Sequence, residues 1–428
     1  MIAVVSLFLI FIVLALIGVP LGIAIGLSSV IMLLKEGGIS LAVLAQRMYS
    51  GVNSFSLMAI PFFMLAGGIM ERSGLTQRLV NFANAMIGWL RCGMCYVCIV
   101  AGIFMGGISG SAPADTAALG SVLIPSMEKL KYPKGFSAAL MAGAGAIGII
   151  IPPSIPMVVL ASTCSISLNK MFMGGIIPGI LVGIGLMIAA RITCGRYRYG
   201  ETDMTPFSMT LLWKTFKQAL LALIAPIIIV GGIMTGIFTA TESGVIVVVY
   251  TLFLGLFIYR SIRLRDIKDV CADAVKSTAN VMLVVASSTI FSWILTRNNF
   301  QMFLGNAITS ISNSAFFVLL IVNIVFLLGG MFLDGLPLII MLCPVFFPIC
   351  TSVGINPIVF GIMVIINIAI GGITPPVGST LFVASSTANV TIEDTAKNAI
   401  PFIVAMVIVL ILVTAVPALI TTMPQLVS

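Results

Sequence analysis

Two apolar stretches of this chain are each broken twice by glycine and proline, and these breaks restrict the folds available to it. The first stretch reads G-G-I-S-G-S-A-P-A-D-T-A-A-L-G from Gly106 and G-I-I-I-P-P-S-I-P from Gly148. Broken backbone at membrane depth frees N–H and C=O groups that lipid cannot satisfy. It is tolerated only where it is buried in protein or lines a water-filled cavity. The stretch therefore predicts discontinuous helices around a polar site.

The second stretch repeats the first in one ungapped register. A shift of 223 residues aligns the following pairs: Gly106-Gly107 with Gly329-Gly330, Pro125 with Pro348, Ala146–Gly148 with Ala369–Gly371, and Pro152-Pro153 with Pro375-Pro376. Glycine and proline are common in membrane helices, so isolated coincidences are expected. Here the identities fall in clusters and in order, which predicts an internal duplication.

The composition fixes the class of protein. Of the 428 residues, 60% are hydrophobic and 8% are charged, which predicts an all-α polytopic membrane protein. Histidine is absent, so His metal sites, His proton relays and Ser-His-Asp chemistry are excluded. With no paired-acid motif either, an intramembrane enzyme is disfavoured, and we expect no catalytic residues. The net charge of +8 fits the positive-inside bias of membrane proteins.

The basic clusters predict how the two copies lie in the membrane. Segments 191–217 and 260–276 are both basic and are separated by two crossings, so both are assigned to the cytoplasm. Counting the membrane crossings back from segment 191–217 predicts that a first hairpin, within 92–131, has its open end at the cytoplasmic side. Counting the crossings forward from segment 260–276 predicts that a second hairpin, 315–352, has its open end at the opposite side. The uncharged loop 350–357 then lies in the periplasm. The arms of the first hairpin are short for a full span of about 20 residues, so we predict re-entrant hairpins in inverted repeats.

These assignments divide the chain into five units. The N-terminal segment Met1–Leu34 fits either one kinked helix or two short ones. The predicted units are N-terminal scaffold helices (1–91), the first hairpin and broken helix of a transport domain (92–170), scaffold and connecting helices (171–314), the second hairpin and broken helix (315–390), and a C-terminal helix (391–428).

The broken segments offer ligands to both anions and cations. A half-helix that begins at a hairpin tip presents free N–H groups and the positive end of its dipole. Ser111 and Asp334 are candidates to cap two such helices. Unwound backbone around each Pro-Pro pair offers carbonyl oxygens, which suit Na⁺ and other hard cations. Asp115 and Asp334 are the acids of the two central stretches. They are interpreted either as functional groups or as helix caps, and the two roles are compatible.

Two sets of candidate residues follow, and they overlap. The substrate-binding candidates are Ser111, Asp115, Thr116, Ser154, Asp334, Gly335 and Thr380. The cation-binding candidates are Gly110, Ser111, Gly148, Pro152, Ser154, Gly330, Asp334, Gly372, Thr374, Pro375, Gly378 and Ser379.

The same motifs resemble a known transporter family. G-S-A-P-A-D-T-A-A-L-G and G-I-I-I-P-P-S-I-P in the first half, and L-D-G-L-P-L-I-I-M, C-P-V-F-F-P and G-G-I-T-P-P-V-G in the second, are similar to the large membrane subunit of tripartite ATP-independent periplasmic (TRAP) transporters. The resemblance covers essentially the whole chain. It implies the ion-transporter superfamily fold, in which a transport domain with two hairpins moves against a scaffold as an elevator.

The resemblance also implies a function. It implies an inner-membrane symporter that couples Na⁺, two ions or more, to an organic acid delivered by a periplasmic substrate-binding protein. A small TRAP membrane subunit completes the complex, and we expect it to be a separate polypeptide. The chain is most similar to sialic acid (N-acetylneuraminate) systems. The alternatives are a C4-dicarboxylate or other carboxylate substrate, or a stand-alone Na⁺/anion symporter of the same superfamily.

Overall fold

The fold is described here from a computed structural model. It covers residues 2–37, 40–197, 199, 206–312 and 314–426. Residues 198 and 200–205, which belong to the predicted basic segment 191–217, lie outside the described residues. Within the described residues the chain is helical throughout and has no strand. The first copy of the repeat contains α1 (Ile2–Leu16), α2 (Leu21–Glu36), α3 (Leu41–Val52), α4 (Ala59–Arg72), α5 (Leu75–Ile87), α6 (Gly93–Ser109), α7 (Ala112–Lys129), α8 (Lys134–Ala146), α9 (Ile155–Cys164) and α10 (Leu168–Tyr197).

The second copy follows in the same order. It contains α11 (Met209–Met234), α12 (Ala240–Phe253), α13 (Leu264–Arg297), α14 (Phe300–Ile311), α15 (Ala315–Phe332), α16 (Gly335–Ser352), α17 (Pro357–Gly372), α18 (Ser379–Ala388), α19 (Ile392–Ala415) and α20 (Ala418–Leu426). Among the described residues, seven helices are long and apolar enough to cross a bilayer, or up to eight if α3 and α4 count as one bent span. This confirms a polytopic membrane protein.

The duplication is confirmed at the level of helix boundaries. Under the 223-residue shift, Ala112–Lys129 (α7) matches Gly335–Ser352 (α16) at both ends. The arms before them, α6 and α15, end on equivalent residues. The helices that follow are broken at equivalent places, between α8 and α9 and between α17 and α18. The glycine and proline positions therefore predicted the two hairpins and the two broken helices correctly.

The helices that precede the hairpins are less symmetric between the two copies. The N-terminal segment forms two helices, because the chain breaks at Gly18 (φ 90°) and resumes after Pro20. Helices α3 and α4 are bent by 65° at their junction. Their counterpart in the second copy is the single 34-residue helix α13. The prediction left the N-terminal alternatives open, and the two-helix alternative is correct.

The two copies interlock at the centre of the molecule. The second arm of the first hairpin, α7, packs on α8 of its own copy and on α18 of the other. Correspondingly, α16 packs on α17 and on α9. Helix α10 packs on α6, α17, α19 and α20, although the predicted boundaries group it with the scaffold and connecting helices. The division into units stays a prediction. The interlocking brings both hairpin tips to both helix breaks.

Candidate functional site

Each hairpin tip is hydrogen-bonded to a helix break. At the first tip, Gly110-Ser111, the carbonyl of Gly110 accepts a bond from the N–H of Ile155, the first residue after the first break (residues 150–154), with 3.2 Å between Ile155 N and Gly110 O. Gly110 has φ 62°, and a Cβ built on it would lie 2.6 Å from Pro153 O. No side chain fits there, so this position needs glycine. The second tip, Leu333-Asp334, is adjacent to Met331, whose carbonyl accepts from Val377 N at 3.1 Å in the second break (residues 373–378).

Glycine pairs hold the hairpins against the broken helices. A Cβ built on Gly106 of α6 would lie 2.7 Å from Gly148 Cα. A Cβ built on Gly371 of α17 would lie 2.6 Å from the carbonyl carbon of Gly330 in α15. Both pairs therefore pack backbone against backbone. This close approach explains why the glycines of the repeat are clustered.

A central cavity of about 200 Å³ lies between the tips and the breaks. Both tips and both broken helices line it, together with Met64 from α4 and Val281 from α13. Among the described residues that line this cavity, none is lysine or arginine. Polarity must therefore come from the backbone, from hydroxyls and from the carboxylate of Asp334.

Helix ends converge on the central cavity. Four helices begin there, with the first residues Ala112 (α7), Ile155 (α9), Gly335 (α16) and Ser379 (α18). Free N–H groups and positive dipole ends at such starts favour anions. The segments that end beside it contribute Gly110, Ile149, Gly330 and Gly372. Carbonyl groups at helix ends favour cations. The cavity can therefore hold an anion and cations together.

Two predicted capping residues line the cavity without capping. Ser111 and Asp334 occupy the N-cap positions of α7 and α16, but neither side chain makes a cap hydrogen bond. The prediction of side-chain capping is wrong for both. The N–H of Ser111 is instead donated to Ser109 Oγ at 3.2 Å. Because Asp334 is exposed and lines the cavity, its carboxylate faces the space that a ligand would enter.

A side cavity of about 340 Å³ adjoins the central one and shares Met64 and Ser111 with it. It runs between α4 and α13 as far as Arg72 and Asp273. These two side chains form an ion pair at 2.9 Å. The predicted orientation places this ion pair at the cytoplasmic side, so the side cavity is predicted to lead from the tips toward the cytoplasm.

Asp115 lines the side cavity and is fully buried. Ser109 Oγ donates to Asp115 Oδ1 at 2.5 Å, whereas Oδ2 has no hydrogen-bond partner among the described residues. Oδ2 contacts Gly148, and a Cβ at that position would collide with it. An unsatisfied buried carboxylate oxygen is costly. Asp115 is therefore a candidate to hold a cation behind the first tip.

The structure brings together more than half of the predicted site residues. Those that line the central cavity are Gly110, Ser111, Gly330, Asp334, Gly335, Gly372, Gly378, Ser379 and Thr380. Those that line neither cavity are Thr116, Gly148, Pro152, Ser154, Thr374 and Pro375. Their roles as ligands stay predictions.

The hydroxyls outside the cavities are already bonded to backbone. Ser154 is buried, donates to Ile149 O at 2.6 Å and accepts from Met157 N at 3.3 Å, so it caps α9. Thr116 donates to the carbonyl four residues earlier at 2.8 Å, and Thr374 does the same at 2.6 Å. Thr380, by contrast, lines the cavity and donates to Gly372 O at 2.5 Å.

Sequence reasoning missed several residues of the site. Met64 and Val281 carry no signal, because they are ordinary apolar residues of membrane helices. Ser109 is polar and follows a long apolar run, which could have identified it. Asn367 donates to Asn323 Oδ1 at 2.7 Å and so ties α17 to α15 behind the second tip. Both asparagines lie in strongly apolar helices, which is itself a signal of function or specific packing.

Comparison with known proteins identifies the family. Residues 8–419 match the family described as "Tripartite ATP-independent periplasmic transporter, DctM component". The chain belongs to this family. It is therefore a large permease component of a TRAP transporter and a multi-pass protein of the cell inner membrane. The family works with a small membrane subunit and a periplasmic binding protein.

Relatives of this permease carry different substrate names. It is 37% identical to a C4-dicarboxylate TRAP transporter large permease of Vibrio cholerae, over 99% of this chain and 98% of the relative. It is 34% identical to a sialic acid TRAP transporter large permease of the same organism, over 96% and 95%. It is 38% identical to an isethionate TRAP transporter permease of Oleidesulfovibrio alaskensis, over 94% of this chain but 63% of that relative. Family membership therefore does not determine the substrate.

The fold is also found in solved transporters. The YdaH transporter of Alcanivorax borkumensis matches with a TM-score of 0.62, covering 88% of this chain and 89% of that chain at 14% identity. At this identity the similarity concerns the fold alone.

Proposed function

We propose that this permease carries an organic acid anion across the inner membrane together with Na⁺, and that both bind in the central cavity. The observation that supports this most strongly is the convergence of four helix N-termini on a cavity whose described lining contains no lysine or arginine. Helix N-termini bind carboxylates through N–H groups and dipoles without a fixed positive charge. A carboxylate substrate fits these four helix N-termini.

The proposed Na⁺ sites use carbonyl groups from the segments that precede these helix starts. One site lies at the first tip, with carbonyls from Gly110 and Ile149. The other lies at the second tip, with the Asp334 carboxylate and carbonyls near Gly372 and Gly378. Oxygen ligands of this kind suit a hard cation. Because there are two proposed sites, we expect two or more Na⁺ ions to be coupled to each transported acid.

The proposal includes the movement and the partners that the family resemblance implies. The hairpins and broken helices would slide as one body along the scaffold, where Met64 of α4 and Val281 of α13 face the cavity. A periplasmic binding protein would deliver the substrate, and a small membrane subunit would complete the complex. A stand-alone Na⁺/anion symporter is the competing proposal. It would transport without the binding protein.

We propose sialic acid, C4-dicarboxylates and isethionate as the substrates to test. The resemblance of the motifs favours sialic acid, and relatives named for sialic acid, C4-dicarboxylate and isethionate are 34%, 37% and 38% identical to this chain. All three are organic acids, so the chemistry of the cavity fits each of them.

The test is uptake into liposomes that contain the permease and its small subunit. Each candidate acid is offered with and without a Na⁺ gradient, and with and without the binding protein. We expect uptake of one acid that requires both the gradient and the binding protein. Uptake without the binding protein would favour the stand-alone symporter. Equal uptake with and without the Na⁺ gradient would contradict the proposed coupling.

A further inference from the structure

Helix α5 is a short amphipathic helix that lies along the membrane surface. It buries Leu75, Leu79 and Phe82 and exposes Gln77 and Asn81. It follows α4, whose last residue Arg72 pairs with the start of α13, and it precedes the open end of the first hairpin. Both neighbours belong to the predicted cytoplasmic side. A helix of 13 residues whose two ends lie at the same side runs along the interface and does not cross the membrane.

A groove separates α5 from the first turns of α11. It consists of two adjoining cavities of about 310 and 570 Å³ that share Asn81 and Gln218. We call it the α5–α11 groove. The polar side chains that line it are Gln77, Arg78, Asn81 and Asn84 of α5, Lys214, Thr215, Lys217 and Gln218 of α11, and Tyr259. All of them can donate hydrogen bonds. None of the described lining residues is acidic.

Two of the three cations of the groove, Arg78 and Lys217, lie beside aromatic rings, and among the described residues no carboxylate pairs with Arg78, Lys214 or Lys217. The Arg78 guanidinium lies 3.5 Å from the ring centroid of Tyr259, whose hydroxyl donates to Gln218 O at 3.4 Å. The Lys217 ammonium lies 5.4 Å from the ring of Trp213. Cation–π contacts position these groups but leave their N–H donors available. Aromatic side chains of this kind mark the headgroup level of a membrane.

The repeat provides an internal comparison. The counterpart of α5 in the second copy is α14, where Gln301 stands in place of Arg78 and Leu304 in place of Asn81. Gln301 donates to Pro344 O at 2.8 Å, a contact within the protein. The fold therefore forms this helix without a basic, donor-rich face. The predicted orientation places α14 on the periplasmic side, so the basic face occurs only at the leaflet whose negative surface potential attracts it.

We propose that the α5–α11 groove binds the phosphate of an anionic phospholipid from the cytoplasmic leaflet. Arg78, Lys214 and Lys217 surround the phosphate, and the amide groups donate hydrogen bonds to its oxygens. Leu220 and Ile227, which follow Lys217 on one face of α11, are exposed and continue the surface along which the acyl chains would lie. Basic pockets between membrane helices on the cytoplasmic side bind such headgroups.

The test is native mass spectrometry of the full-length protein titrated with phosphatidylglycerol, phosphatidylcholine or inorganic phosphate. The variant replaces Arg78, Lys214 and Lys217 by glutamine. The matched control replaces Arg265, Lys268 and Lys276, three exposed cations of α13 on the same predicted side. Each basic residue near a headgroup contributes about fivefold in affinity. The groove variant should therefore bind phosphatidylglycerol about 100-fold more weakly, and the control should bind it like the wild type.

The outcomes separate the alternatives. Equal binding of the two lipids, or equal loss in variant and control, overturns the proposal. Displacement of phosphatidylglycerol by millimolar inorganic phosphate assigns the groove to a soluble anion and also overturns it. If the triple variant does not fold, Arg78→Gln alone is decisive, because glutamine is the residue that α14 already carries at this position. It should weaken phosphatidylglycerol binding about fivefold, and wild-type binding by this variant overturns the role of Arg78.

Discussion

Replacing Gly371 by alanine tests whether close packing of α15 on α17 maintains the second proposed ion site. The new Cβ would lie 2.6 Å from the carbonyl carbon and oxygen of Gly330, and 2.7 Å from its Cα. These are backbone atoms and cannot rotate away. Ordinary contact begins at 3.4 Å, so the two helices must separate by roughly 0.8 Å in a core packed as densely as a crystal.

The substitution costs little folding stability, but the separation of α15 from α17 distorts the second proposed ion site. Overpacking costs about 1–3 kcal/mol, and alanine in place of a helical glycine offsets about 1 kcal/mol of it. The separation moves the second tip, with Asp334, away from Gly372. If the remaining free energy, up to about 2 kcal/mol, falls on ion binding, the Na⁺ concentration for half-maximal response rises by up to about 30-fold.

The assay is a Na⁺ titration of thermal stability in the purified protein, together with Na⁺-driven uptake. Two alanine substitutions serve as controls. In Gly329→Ala the Cβ meets the flexible end of the Leu338 side chain, and in Gly231→Ala the nearest atom is 4.0 Å away. Both controls should keep the wild-type Na⁺ response. A wild-type response in Gly371→Ala, or the same shift in all three variants, refutes the reasoning.

Three further predictions concern the break, the buried acid and the topology. Pro375-Pro376→Ala-Ala should insert normally but lose Na⁺-dependent stabilisation, because the loop can rewind into helix and withdraw its carbonyls; an unchanged Na⁺ titration would make the loop a structural kink. Asp115→Asn should reduce uptake at least about tenfold without lowering the melting temperature, since the Oδ2 atom that it replaces has no hydrogen-bond partner among the described residues; normal uptake with wild-type Na⁺ dependence would exclude it as an ion ligand. Single cysteines at positions 196 and 263 should label from the cytoplasm and one at 354 from the periplasm; labelling of all three from one side would contradict the inverted repeat.

The hairpins and the helix breaks could be predicted from the sequence because each depends on the glycine and proline residues at that position in the chain. Gly110 and the two Pro-Pro pairs act through their own dihedral angles, so their positions fix where helices stop. The packing of α7 on α18 could not be predicted in this way, since it joins the two copies of the repeat. That contact decides which helix starts meet in one cavity.

The hydroxyl ligands were harder to predict than the breaks. Ser154 and Thr116 have the right chemistry and lie in the right segment, yet both bond to carbonyls of neighbouring turns. A serine or threonine in a helix can bond to the carbonyl four residues earlier or point outward, and the sequence does not fix that rotamer. The carboxylate of Asp115 points behind the tip for a related reason, because Gly148 leaves room for it.

The duplication preserved the backbone of the site and let its charges diverge. Ser111 of the first tip corresponds to Asp334 of the second, and Asp115 corresponds to Leu338. Each copy thus supplies one acid, but Asp115 is buried behind its tip whereas Asp334 faces the central cavity. An ionised Asp334 repels an anionic substrate by about 4 kcal/mol at 4 Å and an effective dielectric constant of 20. A Na⁺ ion at the second tip would cancel this repulsion. We therefore expect Na⁺ to bind before the acid, which would couple the two fluxes through one carboxylate.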